Sequence, residues 1–462
     1  GRAFVRCDAL ETISLPSAVR IDDYAFLLCE ALKTVNLPSA ADIGNCVFEK
    51  CSALTTVEFP RAESIGMYAF SGCAALEAVD IPPLVSSIGG YAFNYCATLR
   101  RVSIPAALSS ISDTAFAGCS SLTEISADPA NPRYRAEKGM LLDKGGTTLL
   151  AYPSASGSVS ISSITSVGTN AFYLCTALKT VSLPNVVSIS DSAFFLCSAL
   201  ETVNIPNAAD IGRRAFYGCA LKTLSLPRAE RIGDAAFEDC TVLETISLPK
   251  AVNTGVFSFA FCSALETVEL PRAVTIDNYA FSDCTALKTV ELPEAVNIGD
   301  SAFSHCDTLE TVELPRAANI GNSVFFGCSA LETVSLPLAA GIGNHVFYGC
   351  TALETVNIPL AETIGACAFG STGGTALVVT LGAAVPTLGT SLFGEIETDK
   401  SVTIRIPSGA SGGYGPAAAG AAGSAWSSGF LGRGWNGNAT IEDGSAINER
   451  INLSIVPYKG EL

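Results

Sequence analysis

Apolar positions return along the chain in a fixed order, with polar residues filling the places between them. The stretch Ile298–Pro315, IGDSAFSHCDTLETVELP, shows the unit in full. Its last part, Leu309 to Pro315, alternates apolar and polar residues and predicts a short strand. Val312 and Leu314 then point inward, while Thr311 and Glu313 face solvent. Proline closes the strand because it has no N–H to offer a neighbour. Identical strands one unit apart must lie parallel, so the pattern predicts a solenoid with a long parallel β-sheet along one face. The half I-G-x-x-A-F-x-x-C is the return path, made of short turns or 3-10 segments. There Gly299 suits a turn, and Ala, Phe and Cys fill the opposite wall of the core. A single such coil cannot bury both walls, but stacked coils can.

The register is kept by two residue types. Of the 17 cysteines, all but Cys46 and Cys367 form one ladder from Cys7, Cys29 and Cys51 to Cys328 and Cys350, mostly in steps of 22 residues. Phenylalanine runs three residues ahead of it, from Phe4, Phe26 and Phe48 to Phe347, and continues at Phe369 and Phe393. The ladder skips from Cys119 to Cys175. In that gap, two apolar runs flank Asp143-Lys144-Gly145-Gly146 and read as a hairpin. This coil is either a local widening of the stack or a dedicated binding knob. After about residue 370 the register decays, and Ser401–Pro407 reads as a last strand. These changes divide the chain into repeats over 1–126 (entered in mid-repeat), an irregular hairpin-bearing coil over 127–153, repeats over 154–408, and a Gly/Ala/Ser-rich C-terminal cap over 409–462. Trp426 and Trp435 fall in that cap, as anchors or as a carbohydrate platform.

The motif AF-x-x-C-x-x-L-x-x-(V/I)-x-(L/I)-P resembles the BspA-type leucine-rich repeat, also called the Treponema-pallidum-type repeat. The likeness covers roughly 1–126 and 154–408. It implies a leucine-rich-repeat solenoid at the cell surface or secreted, adhering to host extracellular-matrix proteins or to microbial surface proteins.

Composition narrows the functional classes. The 462 residues are 48% hydrophobic and 15% charged, with a formal net charge of −17. No uninterrupted apolar run reaches the ~18 residues a membrane span needs. A phosphate backbone calls for clustered Lys and Arg, so nucleic acid is not the expected partner. The cysteines contain no C-x-x-C pair and occupy a core position beside Phe and Leu, which predicts buried, unpaired thiols acting as small hydrophobes. His305 and His345, the only histidines, stand at variable positions with no triad or metal set around them. The expectation is therefore a protein with no catalytic residues, no metal and no cofactor.

Solenoids bind along the exposed faces of their strands. The threonine column from Thr180 and Thr202 to Thr333 and Thr355 reads as structural, its hydroxyls able to bond one another. Two residues on, Glu269, Glu291 and Glu313 set like charges on successive strands, which costs stability. Glu266 and Glu310 join them from a neighbouring column. Either Lys288, Arg272 and Arg316 neutralise this strip, or it is an acidic surface for a basic protein segment or a cation. An open strand edge at the N-terminal end would also allow end-to-end pairing with another copy.

Overall fold

In each coil the alternating residues do form a strand of about three residues. The computed structural model describes residues 2–372, 376–384, 386–393, 401–406, 438–443 and 451–453. The chain divides into two units, Gly1–Ala220 and Leu221–Leu462. In the second unit Thr311–Glu313 has Val312 buried between exposed Thr311 and Glu313, with Leu314 fully buried after it. This strand pairs in parallel with Thr289–Glu291 on one side and Thr333–Ser335 on the other. The same in-register pairing repeats in the first unit, as between Thr12–Ser14 and Thr34–Asn36. Among the described residues the threonine hydroxyls of this column make no bonds to each other; their backbones hold the register.

A second ladder lies where the sequence suggested only a return path. The residue pair ending in the isoleucine before Gly forms a two-residue strand, also parallel from coil to coil. Examples are Asp42–Ile43 with Ser64–Ile65 and Asn297–Ile298 with Asn319–Ile320. The glycine that follows is not there for a turn conformation, contrary to expectation. A Cβ on Gly299 would lie 2.6 Å from the Asn278 amide nitrogen, and one on Gly343 would lie 2.3 Å from the Gly321 carbonyl oxygen. Close stacking of backbone on backbone requires Gly at these positions.

The left-handed positions fall instead on two columns of the return path that are filled mostly by residues other than glycine. Tyr24 and Leu28 take φ of 61° and 62°, and Phe257 and Phe261 take 57° and 61°. Side chains rarely adopt this conformation without compensation. Here it lets three alternate N–H groups per coil point along the stack. Those of Tyr24, Phe26 and Leu28 donate to the carbonyls of Asn45, Val47 and Glu49 at 2.9 Å each. An Asx chain locks the neighbouring turn. The Asp300 N–H donates to Asn278 Oδ1 at 2.8 Å, and Asp300 Oδ1 accepts from the Asn322 N–H at 2.7 Å.

Inside, the rings form continuous piles. Phe26 and Phe48 stack with centroids 5.5 Å apart, as do Phe281 and Phe303 at 5.4 Å. All 17 cysteines are free thiols, but the ladder ones are more than small hydrophobes. Cys51 Sγ donates to the Phe26 carbonyl at 3.2 Å, and Cys328 Sγ donates to that of Phe303 at 3.0 Å. Burial pushes Cys51 and Cys96 up to about 12, so the proton that makes this bond stays on sulfur.

Between the ladder cysteines Cys119 and Cys175 the first unit changes course. Tyr134–Glu137, Met140–Asp143 and Thr148–Ala151 pair antiparallel in sequence order, and Thr148–Ala151 then pairs in parallel with Ser166–Val167. Asp143 closes the second turn, its Oδ1 accepting the N–H groups of Thr147 and Thr148. Asn131, fully buried, anchors the detour. Its Nδ2 donates to the carbonyls of Pro105 at 2.7 Å and Leu108 at 3.0 Å, and its Oδ1 accepts the N–H groups of Arg133 and Tyr134.

In the second unit Ser401–Ile406 is not the last strand. Asn438–Asp443 pairs with it in parallel, and Ile451–Leu453 adds antiparallel beyond. The remainder of the expected cap, including Trp426 and Trp435, lies outside the described residues.

Candidate functional site

The strand ends decide what the second unit presents to solvent. Glu269 is in register with Glu291, and Glu291 with Glu313. All three are exposed, on strands about 4.8 Å apart. Leu270 and Leu292 beside them are buried, so these carboxylates point away from the core as the alternation requires.

One residue before each strand runs a second column. Its backbone is fixed from coil to coil, with the Glu266 N–H on the Glu244 carbonyl at 2.9 Å and the Glu310 N–H on the Lys288 carbonyl at 3.0 Å. The column reads Glu244, Glu266, Lys288, Glu310, Glu332, Glu354, all exposed. The sequence reading took in Glu266 and Glu310 but passed over Glu244, Glu332 and Glu354. The recurring Leu-Glu-Thr triplet carried the signal for them. They extend the acidic face well past the three paired glutamates.

The basic residues expected to neutralise the strip do so only in part. Lys288 Nζ lies 3.3 Å from Glu266 Oε2, and both side chains are about half exposed. Arg316 is taken by Glu294, beyond the strand end. Arg272 makes no ion pair, and neither do Glu269, Glu291 and Glu313 among the described residues. Exposed pairs of this kind hold little energy, so the face stays electronegative.

Next to the paired glutamates the surface is hollowed. A depression of about 380 Å³ is lined by Thr267, Glu269, Thr289 and Glu291, with Pro249, Pro271 and Pro293 along one side. The prolines that end each strand stand in a row, and the strand face drops away beside them.

No group of three or more His, Cys, Asp or Glu that could hold a metal forms among the described residues. His305 and His345 sit on the left-handed columns of the return path, against Phe326 and Tyr348. Among the described residues no helix is long and apolar enough to cross a membrane.

The family described as BspA type leucine rich repeat region (6 copies) matches residues 1–123, 165–275, 209–332 and 252–376. The chain belongs to the BspA-type leucine-rich-repeat family. A leucine-rich repeat protein of Bacteroides ovatus of known structure is 26% identical over 81% of this chain and 87% of its own, with a TM-score of 0.50. A leucine rich cell surface protein of Faecalibacterium prausnitzii is 27% identical over 64% of this chain and 81% of its own, with a TM-score of 0.44. No curated protein matches the sequence. A BspA-type solenoid is a scaffold typical of protein–protein interaction.

Proposed function

We propose that the protein is a non-enzymatic adhesion and interaction module at the cell surface or secreted, binding a protein ligand of host matrix or microbial surface. On this reading Glu266, Glu269, Glu291, Glu310 and Glu313 receive a basic segment of that ligand. The carrying observation is the run Glu269–Glu291–Glu313, three like charges on paired strands with no ion-pair partner among the described residues, beside a hollow of about 380 Å³. Such a run opposes folding, and an opposite charge brought by a partner relieves it.

The reading is tested with an octalysine peptide and with immobilised matrix proteins, each presented to the wild type and to a Glu269→Lys/Glu291→Lys/Glu313→Lys variant. Binding that the variant loses, and that weakens from low to high salt, supports it. Equal binding by both chains, or no retention of any matrix protein, leaves a spacer that carries other domains as the better account. Surface labelling of intact producing cells tests the location.

A further inference from the structure

The detour in the first unit leaves one coil unsewn. On its far side, Ser192, Phe194 and Leu196 donate their N–H groups to the carbonyls of Arg213, Ala215 and Tyr217 at 2.7 to 2.8 Å, as Tyr24, Phe26 and Leu28 do near the start. The equivalent residues before the detour are Thr114, Phe116 and Gly118. The Thr114 N–H turns back to Ser112 Oγ at 3.4 Å, and the Thr114 hydroxyl accepts the Tyr91 N–H at 3.1 Å. The N–H groups of Phe116 and Gly118 meet no acceptor among the described residues.

The cause is the hairpin. After Glu124–Ala127 the chain makes antiparallel strands where a return path would run. It regains the return position only at Tyr152, whose N–H donates to the Ala171 carbonyl at 2.7 Å. Between 111–117 and 168–173 a cavity of about 110 Å³ remains, walled by Phe116, Tyr134, Leu141, Leu150, Pro153 and Tyr173. Phe93 stacks on Phe116 at 5.7 Å, and among the described residues no other ring stacks against Phe116. Asp113, exposed and without an ion-pair partner among the described residues, stands in the lining.

We propose that this cavity receives one aliphatic side chain of an extended peptide segment from a partner, whose backbone carbonyls accept the Phe116 and Gly118 N–H groups. Donors two residues apart match the spacing with which an extended strand presents its carbonyls on one edge. Most of the lining is apolar, with Ser112, Asp113, Thr169 and Asn170 as its polar members, so the group it takes is hydrocarbon. A dry cavity of about 150 Å³ holds benzene, which puts 110 Å³ at the size of one branched aliphatic side chain. Asp113 selects a Lys or Arg flanking that residue. The site lies in the first unit and shares no residue with the acidic face of the second.

The test is selection of a displayed library of random linear heptapeptides on the full chain carrying Glu269→Lys, Glu291→Lys and Glu313→Lys, so that the acidic face does not capture basic peptides. Enriched peptides should centre on Leu, Ile or Val beside Lys or Arg, and should shift the amide resonances of Phe116 and Gly118. Filling the cavity with Ala171→Leu should weaken them at least tenfold. Asp113→Lys, on an exposed residue, should weaken them severalfold whether or not the filled variant folds. Selection that yields no peptide, peptides that leave both amides unshifted, or peptides indifferent to Asp113→Lys would overturn the proposal.

Discussion

The thiol of Cys306 donates a hydrogen bond to the carbonyl oxygen of Phe281 at 3.2 Å, across to the preceding coil. Both residues are fully buried, so that carbonyl has no access to water, and besides the thiol it accepts only the Cys284 N–H, at 3.4 Å. Cys306→Ala removes the nearer of the carbonyl's two donors and opens a small void, and should cost about 2 kcal/mol. Cys306→Ser keeps a donor and should cost less. A thiol acting only as a small hydrophobe would give the reverse order, since a buried hydroxyl is then the worse replacement. Urea unfolding of the two variants against the wild type decides between them.

Alkaline pH should loosen the stack through the same residues. Burial raises Cys51 and Cys96 from the ordinary 9.0 to about 12. An unfolded chain gives up these protons near pH 9, whereas the folded coil holds them until near pH 12. Their contribution is therefore complete below pH 9 and is lost as pH rises from 9 towards 12. Urea midpoints taken at pH 8, 9, 10 and 11 should fall, and fall less in a Cys51→Ala/Cys96→Ala variant. A wild-type midpoint that stays level to pH 11 contradicts this account.

Asn131 holds the detour with four hydrogen bonds, two given and two received. Asn131→Ala strands the Leu108 carbonyl and the Arg133 and Tyr134 N–H groups, while the Pro105 carbonyl keeps the Leu108 N–H, at a cost of about 3 kcal/mol. Hydrogen exchange should quicken over 127–153 and in the coil 101–123 it leans on, while the second unit keeps its protection. Uniform quickening throughout the chain, or none, would contradict an anchoring role.

Glu291 lies between Glu269 and Glu313 and has like charge on both sides. Glu291→Gln should raise stability by about 0.5 kcal/mol at low ionic strength, and the gain should shrink in high salt. Glu266→Gln, which gives up its contact with Lys288, should bring no such gain. Thermal melts at two salt concentrations measure both.

Much of this was legible in the sequence because burial alternates with a period of two. Val312 and Leu314 announced the strand and its inner face, and the spacing of Glu269, Glu291 and Glu313 announced their adjacency. The second ladder was hidden, because a strand of two residues such as Asn297–Ile298 is too short to alternate. Gly299 was read as a turn former, since sequence shows the missing side chain but not the backbone packed against it. Tyr, Leu and Phe at left-handed positions run against local preference, and bonds between coils override that preference. The expected screening of the glutamates failed in part because Arg316 reaches Glu294, and side-chain direction is not written in spacing. The cavity beside Phe116 was invisible for a related reason: it exists through a ladder that stops.

The left-handed columns have a consequence for how the protein comes into being. A residue such as Phe257 or Leu28 in this conformation costs about 1–2 kcal/mol by itself. The compensating N–H bonds reach only to a different coil. One coil alone thus carries the strain with nothing to offset it, and has no reason to take its shape before a neighbour exists. Growth of the stack should resemble the growth of a crystal, slow to nucleate and quick to extend, with each finished coil serving as the mould for the one laid against it.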